Sequence, residues 1–241
     1  MQKQLWQLQQ TDLLDGHLIQ TNCPICNGTG KTIEYNSATI CSCVFQADSC
    51  FKAAQFPSRF IESTLENLDW GLLAPATLPG LIQSYTETIE DVFDEGRGIV
   101  CWGPPGNGKT HVAVGIGKIA CALGYSVRFA VVADWLEKLR SAFDDHPKPE
   151  KQAWGRKQPE PTDAEFLILD DLGLESETPW VREKVYQLIN HRWLEQLPTI
   201  ITTNRDPDDL ARRYGDGVVS RLWGSSMVLH FEGRDHRLAV R

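Results

Sequence analysis

Gly103, Pro104, Pro105, Gly106, Asn107, Gly108, Lys109 and Thr110 form one run in the pattern G-x-x-x-x-G-K-[ST], with His111 immediately after it. Such a run binds phosphates. The glycines let backbone N–H groups turn onto an oxyanion, the lysine reaches the β- and γ-phosphates, and the threonine hydroxyl ligates Mg²⁺. Context decides whether the pattern means this: a buried strand must precede it, and a helix must follow so that its N-terminus faces the phosphates. Gly98-Ile-Val-Cys-Trp102 supplies the apolar run, and Val112, Ile116, Ile119, Ala120 and Leu123 recur at helical spacing before Gly124. Residues 103–111 are therefore taken as the nucleotide-binding run.

A second apolar run, Phe166-Leu-Ile-Leu-Asp170-Asp171, ends in two carboxylates about 60 residues after Lys109. A parallel strand beside the phosphate-loop strand would deliver Asp170 to the Mg²⁺ shell at the carboxyl edge of the sheet. Asp171 would then polarise an attacking water. The plain alternative is a strand that ends in a solvated Asp-Asp-Leu-Gly turn. Pro198-Thr-Ile-Ile-Thr-Thr-Asn204 gives another buried strand ending in a polar residue at the same edge. Asn204 either holds the water or the terminal phosphate there, or caps the helix that begins near Asp206.

The cysteines suggest a different chemistry. Cys23 and Cys26 form a C-x-x-C pair with Gly28 and Gly30 behind it, and 14 residues separate Cys26 from the C-x-C pair Cys41 and Cys43. Four thiolates in two tight pairs suit a closed, structural tetrahedral Zn²⁺ site, which would let a segment of ~30 residues fold without a core of its own. Cys50 and His17 lie close enough in sequence to replace a member. Cys101 and Cys121 fall on apolar elements and read as small core residues.

These residues need a scaffold. At 241 residues, 41% hydrophobic and 23% charged, the chain can bury one substantial core and carry a small appendage. A net charge of -8 argues against bulk electrostatic coating of nucleic acid, so any such contact needs a local basic patch. Lys148, Lys151, Arg156 and Lys157 around Trp154 form one within a polar stretch over 144–163, which equally suits a solvated surface loop. There is no run of about 18 apolar residues, and the first residues lack the apolar core of a signal peptide. Both facts point to a cytoplasmic protein that does not enter membranes.

Residues 1–20 carry leucines at loosely helical spacing, suiting a short partner-binding helix or a frayed terminus. The pattern thins from Phe51 to Gly80, which reads as a linker, and Leu81 to Phe93 reads as a helix. Ser126–Val132 is a buried strand and Ala133–Phe143 a helix. Thr178-Pro179 starts another helix, and Met227–Phe231 is a last short strand. Five buried strands alternating with helices make a three-layer α/β domain with a parallel sheet.

From Phe56-Pro-Ser-Arg-Phe60 to Arg237 the order of motifs resembles the helicase-loader branch of the AAA+ ATPases, the DnaC/DnaI-like proteins, and the closely similar IstB-like ATPases of transposons. Gly103–Thr110 matches Walker A, Phe166–Gly173 Walker B, Ile201–Asn204 sensor 1, Ser220-Arg221-Leu222 the arginine-finger box, and Gly233-Arg-Asp-His-Arg237 a closing motif. The resemblance implies an AAA+ P-loop ATPase with a five-stranded parallel sheet, a reduced or absent C-terminal lid and a small N-terminal four-cysteine zinc module. On that basis residues 1–52 form the N-terminal helix and zinc module, 53–80 the linker and 81–241 the ATPase domain.

It implies ATP, Mg²⁺ and Zn²⁺ as cofactors. Lys109, Asp170, Asp171, Asn204, Arg221 and Arg237 would be the catalytic set, with Thr110 and Asp170 on magnesium and Cys23, Cys26, Cys41 and Cys43 on zinc. Subunits would associate into an open or spiral oligomer in which Arg221 acts on a neighbour's nucleotide. The implied partners are a hexameric replicative helicase and single-stranded DNA. Two departures from the family pattern matter: Asp171 stands where most AAA+ proteins have glutamate, and the sequence after Arg237 is too short for the family's full helical lid, which leaves Arg234 as a rival to Arg237 for the sensor 2 role. The alternatives are an IstB-like transposition helper that assembles on duplex DNA, and an ATP-gated adaptor that does not hydrolyse.

Overall fold

The computed structural model describes residues 13–14, 17–18, 23, 25–27, 29, 31–34, 37–41, 49–144, 160–233 and 235–238. In the N-terminal part, β1 (Leu13–Leu14) pairs antiparallel with β2 (His17–Leu18), and β3 (Lys31–Glu34) with β4 (Ser37–Ile40). The helix expected near the N-terminus is not what Leu13–Leu14 and His17–Leu18 form. Asp15-Gly16 between the two pieces is a strong short-range hairpin signal, and it prevails over loose leucine spacing. The part of that expectation on 1–12 lies outside the described residues, as does the basic patch around Trp154.

After a helical segment over 49–54 (α1), the chain runs through α2 (Leu78–Glu87), α3 (Ile89–Asp94), β5 (Gly98–Trp102), α4 (Lys109–Leu123), β6 (Val127–Val131) and α5 (Val132–Asp144). It continues through β7 (Phe166–Asp170), α6 (Pro179–Leu194), β8 (Thr199–Thr203), α7 (Pro207–Tyr214), α8 (Asp216–Gly224) and β9 (Ser226–His230). The helix expected over 81–93 starts earlier and breaks at Thr88. The hydroxyls of Thr86 and Thr88 bond back to Gln83 O (2.9 Å) and Ser84 O (3.1 Å), which competes with helix propagation.

The five strands form one parallel sheet in the order β6-β7-β8-β5-β9. Side chains alternate across it. Ile99, Cys101, Phe129, Phe166, Ile168 and Ile200 face a core shared with α2, α3 and α4, while Val100, Ala130, Leu167, Leu169 and Ile201 face one shared with α5, α6, α7 and α8. Helices on both faces explain why these strands read as continuous apolar runs. Cys101 and Cys121 are fully buried in the first of these cores, as expected. β7 does not lie beside the phosphate-loop strand, contrary to the expectation from sequence, because β8 is interposed.

The segment 53–80 is not a free linker. Phe56 and Leu65 are buried against glycines of α4, and Leu73 is buried against Gly108 just ahead of it. A Cβ on Gly115 would lie 2.8 Å from Leu65 Cδ2, and one on Gly117 would lie 3.3 Å from Phe56 Cε1. Phe56, Leu65 and Leu73 lie outside any helix or strand, beside the short 3-10 turns Ser58–Phe60 and Trp70–Leu72, so the packing leaves no helical or strand period in the sequence. After β9, the described residues contain one 3-10 turn, His236–Leu238, and no helical lid.

Candidate functional site

The run 103–110 links the carboxyl end of β5 to the first turn of α4, where a phosphate loop should lie. Gly106 and Gly108 have φ of +78° and +95°, values a side chain would resist. Lys109 is buried, and its ammonium folds into the loop, donating to Gly103 O (2.8 Å), Pro104 O (2.5 Å) and Asn107 Oδ1 (3.1 Å). Burial lowers the Lys109 pKa to about 8, although the nearby Asp171 and Asp170 oppose this. All three acceptors are neutral, and Asn107 Nδ2 is buried with no partner. A buried cation held only by carbonyls, beside an unpaired donor, fits an anionic ligand. His111, grouped with this run in the sequence, turns its ring away: Nε2 contacts Thr64 O at 2.8 Å and Asn67 Oδ1 at 3.1 Å.

Asp170 closes β7 at the same edge. Its Oδ1 accepts from Thr110 Oγ1 at 2.9 Å and from Thr202 Oγ1, on β8, at 2.6 Å. Thr202 also receives the Asp171 amide at 3.0 Å, a role that β-propensity in Thr199-Ile-Ile-Thr-Thr203 concealed. Burial raises the Asp170 pKa to about 6 despite those hydrogen bonds. Threonine hydroxyl beside carboxylate is the oxygen donor set that Mg²⁺ takes with nucleotide phosphates, so these residues fit the ion. Asp171 has φ +59°, an unusual backbone state that aspartate tolerates, and burial raises its pKa too.

Asn204 follows β8 at the same edge, half-buried, next to Thr203 O, which accepts Gly103 N at 3.2 Å. It does not cap the next helix: Asp206 does, accepting Asp209 N at 2.7 Å. Arg237 approaches from the closing segment, and its charge reaches Lys109 and Asp171. Arg234 lies outside the described residues.

Arg221 is elsewhere. It sits in the last turn of α8, where its carbonyl accepts Ser225 N (3.1 Å) and Ser225 Oγ (2.6 Å), and Ser225 O accepts Gly98 N (3.1 Å) at the start of β5. The phosphate loop leaves the far end of that strand, about 17 Å away. The guanidinium lies 5.1 Å from the Trp193 ring and 5.6 Å from the Tyr186 ring, and Nη1 donates to Gly217 O at 2.7 Å.

The cysteine cluster is separate from this site. The Sγ atoms of Cys23, Cys26 and Cys41 are buried and lie within 4.8 Å of one another, with Cys23 and Cys41 3.7 Å apart. Two thiolates on a tetrahedral ion at ~2.3 Å sit about 3.8 Å from each other, far beyond a disulfide, so the set fits a metal. The knuckle is shaped by Asn27 N to Cys23 O (2.8 Å) and Thr29 Oγ1 to Cys26 O (2.8 Å). Cys43 lies outside the described residues, and so does the side chain of His17. Cys50 is not a member: its Sγ donates to Tyr125 O at 2.9 Å, against the hydrophobic core shared with α4.

The parallel sheet, phosphate loop and paired carboxylates define an AAA+ P-loop nucleotide-binding domain. The chain belongs to the family of IstB-like ATP binding proteins, which matches residues 47–239. It is 27% identical over 231 residues to an insertion-sequence ATP-binding protein of Mycobacterium tuberculosis, covering 94% of this chain and 88% of that protein. It is 27% identical over 196 residues to the replicative helicase loader DnaI of Bacillus subtilis, covering 79% of this chain and 60% of that one. Among solved structures, the DnaC helicase loader superposes with a TM-score of 0.56 at 26% identity, covering 73% of this chain and 99% of that one. No helix among the described residues is long and apolar enough to cross a membrane.

Proposed function

We propose that the chain is an ATP-dependent loader of a replicative helicase onto single-stranded DNA, in which nucleotide controls assembly and release. The observation that carries this reading is the buried three-thiol cluster ahead of the nucleotide domain, which we read as the core of a partner-binding module. Similarity to DnaI over 79% of the chain supports it.

At the site, the loop amides and Lys109 hold the β- and γ-phosphates, and Asn107 Nδ2 gains the acceptor it lacks. Thr110 and Asp170 hold Mg²⁺, which offsets charge on the phosphates when bound. Asp171 takes the proton of the attacking water, and Asn204 orients it. Arg221, at the opposite sheet edge, serves a neighbouring copy's nucleotide, so turnover requires an open or spiral oligomer. Cys23, Cys26, Cys41 and Cys43 hold a structural zinc, and the protein works in the cytoplasm.

Co-purification with the host's replicative helicase in ATP and in ADP, sized by light scattering, tests the loader role. A nucleotide-sensitive complex larger than the helicase hexamer is expected. The second reading, a transposition helper on duplex DNA, rests on the match spanning 94% of this chain to an insertion-sequence protein. Filaments on duplex DNA with no helicase complex would establish it instead.

A further inference from the structure

The segment after β9 is fastened to the phosphate loop. Phe231 N donates to Trp102 O at 2.8 Å, and His236 N donates to Gly106 O at 3.0 Å. Between these bonds the Asp235 carboxylate lies directly over Gly106: a Cβ there would stand 1.8 Å from Asp235 Oδ1. Residue 106 is restricted to glycine by its φ of +78°.

A carboxylate against a phosphate cradle is a charge conflict, because the ligand brings further negative charge to the same place. Arg237 relieves it. Its Nε and Nη2 each reach one Asp235 oxygen at 3.0 Å, and its backbone N donates to Asp235 Oδ1 at 2.9 Å. This planar, two-point clamp is the geometry in which a guanidinium holds either a carboxylate or a phosphate.

We propose that Asp235 is a positioning residue that holds Arg237 over the phosphate loop and must yield it to the terminal phosphate of a bound nucleoside triphosphate, so that Arg237 supplies a preference for triphosphate over diphosphate and Asp235 tempers it. A triphosphate brings oxygens that compete with Asp235 for the guanidinium, whereas a diphosphate leaves the Asp235–Arg237 pair intact. The inference rests on the nucleotide-binding reading and adds to it a role for Asp235, which the closing motif contains without one.

The test is equilibrium binding of a non-hydrolysable ATP analogue and of ADP, both with Mg²⁺, to the full chain as wild type, Asp235→Asn, Arg237→Ala and the double variant. Asp235→Asn should raise the preference for triphosphate over diphosphate by about two- to five-fold, the range of an exposed ion pair. Arg237→Ala should lower that preference, and in the double variant the effect of Asp235→Asn on it should vanish. An equal change for both nucleotides, or an effect of Asp235→Asn that persists without Arg237, would overturn the proposal while leaving nucleotide binding intact. No binding by wild type, or binding unaffected by Lys109→Ala, would overturn the underlying reading as well. Thermal melts of each variant separate a lost fold from a lost contact.

Discussion

Thr202 Oγ1 donates to Asp170 Oδ1 at 2.6 Å and accepts the Asp171 amide at 3.0 Å, so a single hydroxyl on β8 fixes both carboxylate residues at the end of β7. The strand order makes this possible, because β8 separates β7 from the phosphate-loop strand and presents Thr202 between them. Thr202→Val keeps the shape and removes the bond. Mg²⁺-dependent nucleotide affinity should fall about ten-fold or more, the usual cost of losing a group that orients a metal ligand, and Thr202→Ser should retain most of it. Calorimetric titration would decide: a valine variant that binds like wild type would remove Thr202 from the site.

Asp170 also sets a pH window in the absence of divalent ions. Burial holds its carboxyl up at about 6, against roughly 3.9 in an unfolded chain. Between those values the folded chain binds more protons than the unfolded one, so its stability falls as pH rises from about 4 to about 6, by on the order of 3 kcal/mol. Asp170→Asn should flatten this part of the profile. Urea melts of both proteins across the window supply the comparison, and parallel profiles would contradict the assignment.

Arg192 is 2% exposed and serves as a structural fastener. It donates to Thr199 Oγ1 (2.8 Å), Pro161 O (3.1 Å), Ala164 O (2.7 Å) and Pro198 O (2.9 Å), tying α6 to the segments that enter β7 and β8. Arg192→Ala would take the donor from Pro161 O and Ala164 O and should cost about 3 kcal/mol or more of stability. Arg192→Lys should recover only part of this, since an ammonium lacks the fork. A chemical denaturation midpoint that does not move would show that water replaces the guanidinium.

These three residues show where the sequence stops being legible. Lys109, Thr110, Asp170 and the apolar strands behind them could be read because glycine spacing and uninterrupted apolar runs are local signals. Thr202 could not, since a threonine in a strand looks like any β-former and its partner sits on another strand. Arg192 lies on a helix whose other inward residues are aliphatic, so nothing in its period marks it as buried. The packing of Phe56 and Leu65 is hidden for a related reason: it depends on small residues of α4 far along the chain. Arg221 is marked in the sequence by its motif alone, and its place at the opposite edge of the sheet is visible only in the structure.

Metal removal should act on one part of the chain. A strong chelator, or Cys41→Ser, should expose residues 23–41 to protease while the thermal transition of the ATP-binding domain stays in place. Elemental analysis should find about one zinc per chain beforehand. Metal-free protein that resists cleavage equally would mean that the thiols pack without an ion.

The most direct measurement is ATP turnover by Lys109→Ala, by Arg221→Ala and by an equimolar mixture of the two. Each variant alone should be inactive, the first for want of bound nucleotide and the second for want of a finger. In the mixture, Arg221 of a Lys109→Ala chain can reach nucleotide held by an Arg221→Ala chain, so turnover should return and rise with protein concentration. A mixture that stays inactive beside a wild type whose rate per chain is independent of concentration would contradict hydrolysis shared between copies.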